Sequence, residues 1–148
     1  GKMRRLAVLL LLDARGWILL QERDSGAPVA PDQWGMVGGH VEDGESFEEA
    51  AYRELLEETG QSLTLGTLAL WESEEFTYAD GHTGHYHVFT AQVSFNDNDI
   101  VVGEGRQIVF VDPAAVPSLD KSESCAHFVP KFLASQAYKS QIGASSCK

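Results

Sequence analysis

Apolar residues run unbroken from Leu6 to Leu12 and resume from Trp17 to Gln21 after Asp13-Ala14-Arg15-Gly16. This predicts two paired strands joined by a turn, the first apolar enough for burial on both faces. Arg23 to Asp32 is polar and rich in Gly and Pro and reads as a loop, followed by a short strand at Trp34–Val37 that runs into Gly38-Gly39. From Ser46 to Thr59 the period changes. Phe47, Ala51 and Leu55 recur every fourth residue, the stripe of a helix packed on a sheet. Ser46 suits the N-cap, Glu49 completes a capping box with it, and Gly60 stands where a helix commonly ends. Two further strands, Leu68–Tyr78 and Tyr86–Phe95, flank the turn-rich Ala79–Gly84, which predicts a hairpin. A turn at Asn96–Asp99, a strand at Gln107–Val111 stopped by Asp112-Pro113, and a helix at about Ser124–Ala137 complete the elements. The residues from about 138 read as a loose tail. No repeat or linker divides the chain, so residues 1–148 are expected to form one domain.

Composition adds exclusions. The seven apolar residues of Leu6–Leu12 are too few to cross a bilayer and lack a cleavage pattern, although Lys2, Arg4 and Arg5 imitate the start of a signal peptide. Gly1 has the look of a scar left by cloning. Cys125 and Cys147 form no framework and are expected to stay thiols, which suits a cytoplasmic location. With 22 acidic against 11 basic residues and a net charge of −11, the chain is unsuited to nucleic-acid polymers or anionic membranes, which are held by Lys and Arg. A homodimer is an admissible assembly state on which the sequence is silent.

The acids are concentrated. Glu42, Asp43, Glu45, Glu48, Glu49, Glu54, Glu57 and Glu58 fall in one window, opposed there only by Arg53. Glu54, Glu57 and Glu58 stand at i, i+3 and i+4, so their carboxylates leave one side of the helix, beside the apolar stripe. Two carboxylates about 5 Å apart repel by roughly 3 kcal/mol at an effective dielectric of about 20. Glu57 and Glu58 also sit in the last turn, where the helix dipole disfavours anions. A run of glutamates is most often a solvated helix face. Here the Gly38-Gly39 pair ahead of it lets backbone approach an ion or phosphate closely, and an all-oxygen donor set suits Mg²⁺ or Mn²⁺.

The same residues resemble the Nudix signature: Gly, five residues, Glu, seven residues, then Arg-Glu-apolar-any-Glu-Glu-any-Gly-apolar. Gly39, Glu45, Arg53, Glu54, Leu55, Glu57, Glu58 and Gly60 fall on its positions, and Gln61 replaces the final apolar residue. Val37 stands where many relatives have Pro. The resemblance implies an α/β (α+β) fold, an α/β/α sandwich around a mixed sheet. It implies a metal-dependent hydrolase that cleaves a phosphoanhydride bond in a nucleoside diphosphate linked to another moiety: a nucleoside triphosphate, a nucleotide sugar or a dinucleoside polyphosphate. It makes Glu57 and Glu58 principal metal ligands, Glu54 a further ligand or a base, Arg53 their brace, and Gly38 a carbonyl donor. Gly39 would border the substrate, while Glu45 and Gly60 would be structural. Mg²⁺ is the implied cofactor, with Mn²⁺ as the alternative. One more acid from a later loop often joins the metal. Glu104 is the candidate because glycines flank it, with Glu72, Glu74 and Glu75 as alternatives on a strand.

Outside the box, Arg23 and Arg106 are candidate phosphate contacts, against a surface role for each. Tyr78 lies at a distance after the box associated with dinucleoside polyphosphate hydrolases, and no Pro between Pro31 and Pro113 points to ADP-ribose. Trp34, Trp71, Phe76, Tyr78 and Phe89 could stack on a base, yet strand aromatics are mostly core. His82, His85 and His87 lack the companion acids of a metal site and are expected to be surface histidines of the hairpin. Three other functions compete: a nucleotide-sensing Nudix domain without catalysis, which would usually lack box glutamates; isomerisation of an isoprenoid diphosphate, which would call for a catalytic Cys and a longer chain; and a generic acidic Mg²⁺-binding protein, which predicts metal binding without turnover.

Overall fold

The computed structural model describes residues 3–146; Gly1, Lys2 and Cys147, with the readings placed on them, lie outside the described residues. Six strands, β1 (Arg4–Leu12), β2 (Ile18–Glu22), β3 (Trp34–His40), β4 (Ala69–Thr77), β5 (Thr83–Gln92) and β6 (Gln107–Val111), form a single sheet. The helices are α1 (Phe47–Thr59), α2 (Glu123–Leu133) and α3 (Gln136–Ser146), with 3₁₀ turns at Asp97–Asp99 and Pro113–Ser118.

The strand order is β4-β5-β1-β3-β2-β6. β1 runs parallel to β5, pairing Leu9 with Phe89, and every other neighbouring pair is antiparallel, so the sheet is mixed. The expected hairpin is β4–β5, with Thr77 opposite Thr83. β1 and β2 meet only at Leu12 and Ile18; β2 pairs along its length with β3 and β6 instead.

β1 is central, and its alternation feeds two cores. Ala7, Leu9 and Leu11 pack with Leu19, Val37, Ala51 and Leu55 beneath α1. Val8, Leu10 and Leu12 pack with Leu20, Met36, Phe128 and Phe132 beneath α2. These two apolar layers make the α/β/α sandwich. Cys125 is buried in the second, where burial pushes its thiol up to about 12. Most of the aromatics weighed as stacking platforms are packed here: Trp71 lies edge-on to Phe132, and Phe76 edge-on to Tyr78 and Tyr86.

Two expectations change. Gly38 and Gly39 are not a loop; they continue β3, paired with Val8 and Ala7 of β1. The expected loose tail from about 138 is helix α3. Its local sequence is polar and small, and docking holds it: Tyr138 Oη donates to the Gly16 carbonyl at 3.2 Å, and the Gln141 amide donates to Thr90 Oγ1 at 3.0 Å. No helix among the described residues is long and apolar enough to cross a membrane.

Candidate active site

α1 starts with its capping box closed. Ser46 Oγ accepts from the Glu49 amide at 3.0 Å, and Glu49 Oε1 accepts from the Ser46 amide at 2.8 Å. It ends at Gly60, whose left-handed backbone (φ 74°) lets its amide donate back to the Leu56 carbonyl. Ala51 and Leu55 are buried on the sheet, which sets the helix rotation and turns the next face toward β3.

Arg53 organises that face. Its Nε bonds Glu45 at 2.7 Å, Nη1 bonds Glu54 at 3.0 Å and Glu57 at 3.1 Å, and Nη2 reaches the His40 carbonyl at 3.0 Å and Glu45 again at 2.9 Å. Hydrogen bonds from Arg53, and then from the Glu42 amide, pull the Glu45 carboxyl down to about 2. Glu45 in turn holds the Arg53 guanidinium above its ordinary value. One planar cation thus ties the β3–α1 connection to two acids of the helix.

Glu58 lies beyond that cation's reach. It is only 8% exposed, and its Oε2 accepts from the Gly38 amide at 2.9 Å. Burial, and then the charge and hydrogen bond of Glu54, push its carboxyl up to about 9; the Gly38 bond lowers it, and Glu104 adds to the rise. Glu54, Glu58 and Glu104 are therefore electrostatic neighbours, although α1 and the loop before β6 are far apart in sequence. Gly39 completes the contact: a Cβ there would stand 2.7 Å from the Glu54 carboxylate. Glu57 is the most exposed of the three acids of the helix, at 58% of its side chain. Among the described residues no three His, Cys, Asp or Glu side chains already converge on one point: Glu57 turns to Arg53, while Glu54 is shared between Arg53 and Glu58.

The remaining candidates lie elsewhere. Arg23 covers Gly35, where a Cβ would meet its Nε at 3.3 Å and Ser122 Oγ at 3.6 Å. That Nε is buried without a hydrogen-bond partner. Tyr78 is stacked on His82 and its hydroxyl meets that of Tyr86, so it is built into the β4–β5 hairpin. Arg106 is taken up by Asp32, Ser25 and Glu22, a clasp on the β2–β3 loop. Glu72 and Glu74 bond Lys131 of α2, and Glu74 also bonds His127 of the same helix, away from Glu58. His87 is stacked on Phe47, and His85 meets Ser73. Gln21, whose side-chain amide bonds the Glu104 carbonyl, had no functional role in the sequence analysis. A polar residue closing the apolar run of β2 was the available signal for it.

The NUDIX domain family model matches residues 2–132, a span that contains every one of these side chains. The chain belongs to the Nudix family. A nucleoside triphosphatase, NudI, of Salmonella agona is 32% identical over 132 residues, covering 84% of this chain and 93% of the relative. Among solved structures, the MutT protein of Methanosarcina mazei superposes with a TM-score of 0.70 at 18% identity, covering 100% of this chain and 98% of its own. The NUDIX domain of Shewanella oneidensis NrtR, solved with ADP ribose, gives 0.72 at 17% identity over 88% of this chain and 86% of its own. These two share the fold. With every glutamate of the box in place and a NudI relative at this identity, the chain is a Nudix pyrophosphohydrolase, of a family that generally uses divalent metal ions.

Proposed function

We propose that the chain hydrolyses a phosphoanhydride bond of a nucleoside diphosphate linked to another moiety, with a nucleoside triphosphate as the first substrate class to try. The preference for a triphosphate comes from the NudI relative. The observation that carries the reading is Glu58: a buried carboxyl pushed up to about 9, beside Glu54 and Glu104, with the one nearby guanidinium committed to other acids. A site that gathers negative charge without a balancing side chain fits a hard cation as its missing partner.

The residues fit Mg²⁺, with Mn²⁺ as the alternative. Glu57, Glu58 and Glu54 would hold it, with Glu104 and the Gly38 carbonyl as further oxygen donors. When bound, the ion supplies positive charge to the phosphate oxygens and lowers the pKa of a water. The chain does the rest. Arg53 keeps Glu54 and Glu57 aligned, so that one of these two carboxylates accepts the proton of the attacking water. Gly39 lets the backbone lie close to the reacting group, whereas the Nε of Arg23 is closed off from a phosphate by its burial beside Gly35. Water adds to phosphorus, the bridging oxygen leaves with its electron pair, and two phosphorylated products form. Glu45 and Gly60 hold the frame.

The test is a panel of nucleoside triphosphates, nucleotide sugars, ADP-ribose and dinucleoside polyphosphates with Mg²⁺. Turnover stopped by EDTA and by Glu57→Gln supports the reading. A protein that binds nucleotides but turns over no member of the panel is a sensor instead.

A further inference from the structure

The loop that carries Glu104 is fastened at four points by groups outside it. The Val101 amide donates to the Thr59 carbonyl and the Gly103 amide to the Glu58 carbonyl, both at 2.9 Å. The Arg106 amide donates to the Glu22 carbonyl at 2.9 Å. Three of these contacts use backbone alone and so depend little on side-chain identity. The fourth does not: the Gln21 side-chain amide donates to the Glu104 carbonyl at 2.8 Å.

Gln21 is 4% exposed and ends the run Ile18-Leu19-Leu20. By strand alternation it shares the α1 face with Leu19. A leucine would satisfy that apolar face better, and an amide buried there costs stability unless it is bonded. Gly103 explains why the bond matters. A Cβ at Gly103 would stand 2.3 Å from the Glu57 carbonyl, so the loop is pressed onto the last turn of α1 with no side chain to wedge it. With Gly103 pinned to α1, the carbonyl of the next residue, Glu104, is held by Gln21 of β2.

We propose that Gln21 is a positioning residue that holds Glu104 against the acidic end of α1 by bonding its backbone carbonyl, and so sets how tightly the site takes up its divalent cation. This rests on the reading of Glu104 as an oxygen donor in that site. Gln21 never touches the cation or substrate; it acts through Glu104.

The experiment uses the full chain with Mg²⁺ and a nucleoside triphosphate that it turns over. Gln21→Met keeps the shape and removes the donor. We expect the Mg²⁺ concentration for half-maximal rate to rise about three- to tenfold, the range set by one hydrogen bond, while KM for the nucleotide stays nearly fixed. Glu104→Gln should raise the Mg²⁺ requirement at least as far, and the double variant should add nothing further. Without metal, amide hydrogen exchange in residues 103–106 should quicken in Gln21→Met while the β2–β6 ladder keeps its protection. Gln21→Leu, which also lacks the donor, gives the same readouts if the Met variant does not fold. A Mg²⁺ requirement moved by Glu104→Gln and untouched by both Gln21 variants overturns the proposal but leaves the Glu104 reading standing. Fully additive effects overturn it too. A Glu104→Gln protein with an unchanged Mg²⁺ response removes the Glu104 reading, and this inference with it.

Discussion

The two ends of α1 solve opposite problems with the same residue type. At the first turn, Glu49 faces the free amides of the helix start and closes the capping box, while Glu45 just ahead of the helix is matched to Arg53. Dipole, hydrogen bonds and countercharge all favour these carboxylates. At the last turn, Glu57 and Glu58 oppose the dipole, no basic residue is present, and Glu58 is buried beside Glu54. The first end is arranged for stability and the second against it. Charge arranged at a cost marks where a ligand is expected to repay it.

The comparison breaks most decisively at Glu58. Glu58→Gln, which has the shape of the protonated acid, should lower kcat by about 10²–10⁴-fold. In metal-free protein at pH 7 its Tm should lie above that of the unchanged chain, because folding there makes Glu58 take up a proton that the amide does not need. Mg²⁺ at about a hundred times its Kd should raise the Tm of the unchanged protein by roughly 5–10 °C and that of the variant by far less. Calorimetry with and without Mg²⁺ decides it; an equal shift in both removes Glu58 from the site.

Arg53 joins the two ends. Arg53→Lys keeps the charge but loses the planar fork, so at most one of its acids stays well bonded. Urea unfolding should show a loss of about 1.5–3 kcal/mol, with kcat falling as Glu54 and Glu57 lose alignment. Stability lost with kcat intact would make Arg53 structural only.

The pH dependence separates the ends without mutation. Glu45 lies below its ordinary value near 4.5 when folded, so the stability it contributes is present above about 4.5 and is lost as pH falls through about 2. Glu58 lies above its ordinary value, so the folded protein holds a proton that the unfolded chain releases. In EDTA, stability should fall as pH rises from about 4.5 to about 9. Glu45→Gln should flatten the acid limb and Glu58→Gln the alkaline one. A single slope shared by both limbs would contradict the contrast.

The smallest effect belongs to the favourable end. Ser46→Ala removes the cap and should cost about 1 kcal/mol, or roughly 2–4 °C in Tm, with kcat changed by less than about twofold. A large loss of activity would mean the helix start is coupled to the chemistry.

How much was legible follows the range of the interactions. Helix α1 could be read from its own residues, because the cap, the apolar stripe and the terminal Gly act within a few positions of one another. The β4–β5 hairpin was legible for the same reason. The parallel pairing of β1 with β5 was not, since its register comes from packing Leu9 and Leu10 into opposite cores. The C-terminal helix also escaped, because Tyr138 and Gln141 reveal their use only once Gly16 and Thr90 lie beside them.

The sequence by itself determined the chemistry available: the acids of Glu45–Glu58, their spacing on one helix, and the single arginine among them. Spacing along a helix is a local property that survives any arrangement of the rest. Only the tertiary structure decided which acids are satisfied and which are not. Burial of Glu58 against Gly38, the approach of Glu104, and the amide of Gln21 behind it come from segments far apart in the chain. The free energy of a charge depends on what surrounds it, and those surroundings exist only when the sheet has brought β2, β3, α1 and the loop before β6 together.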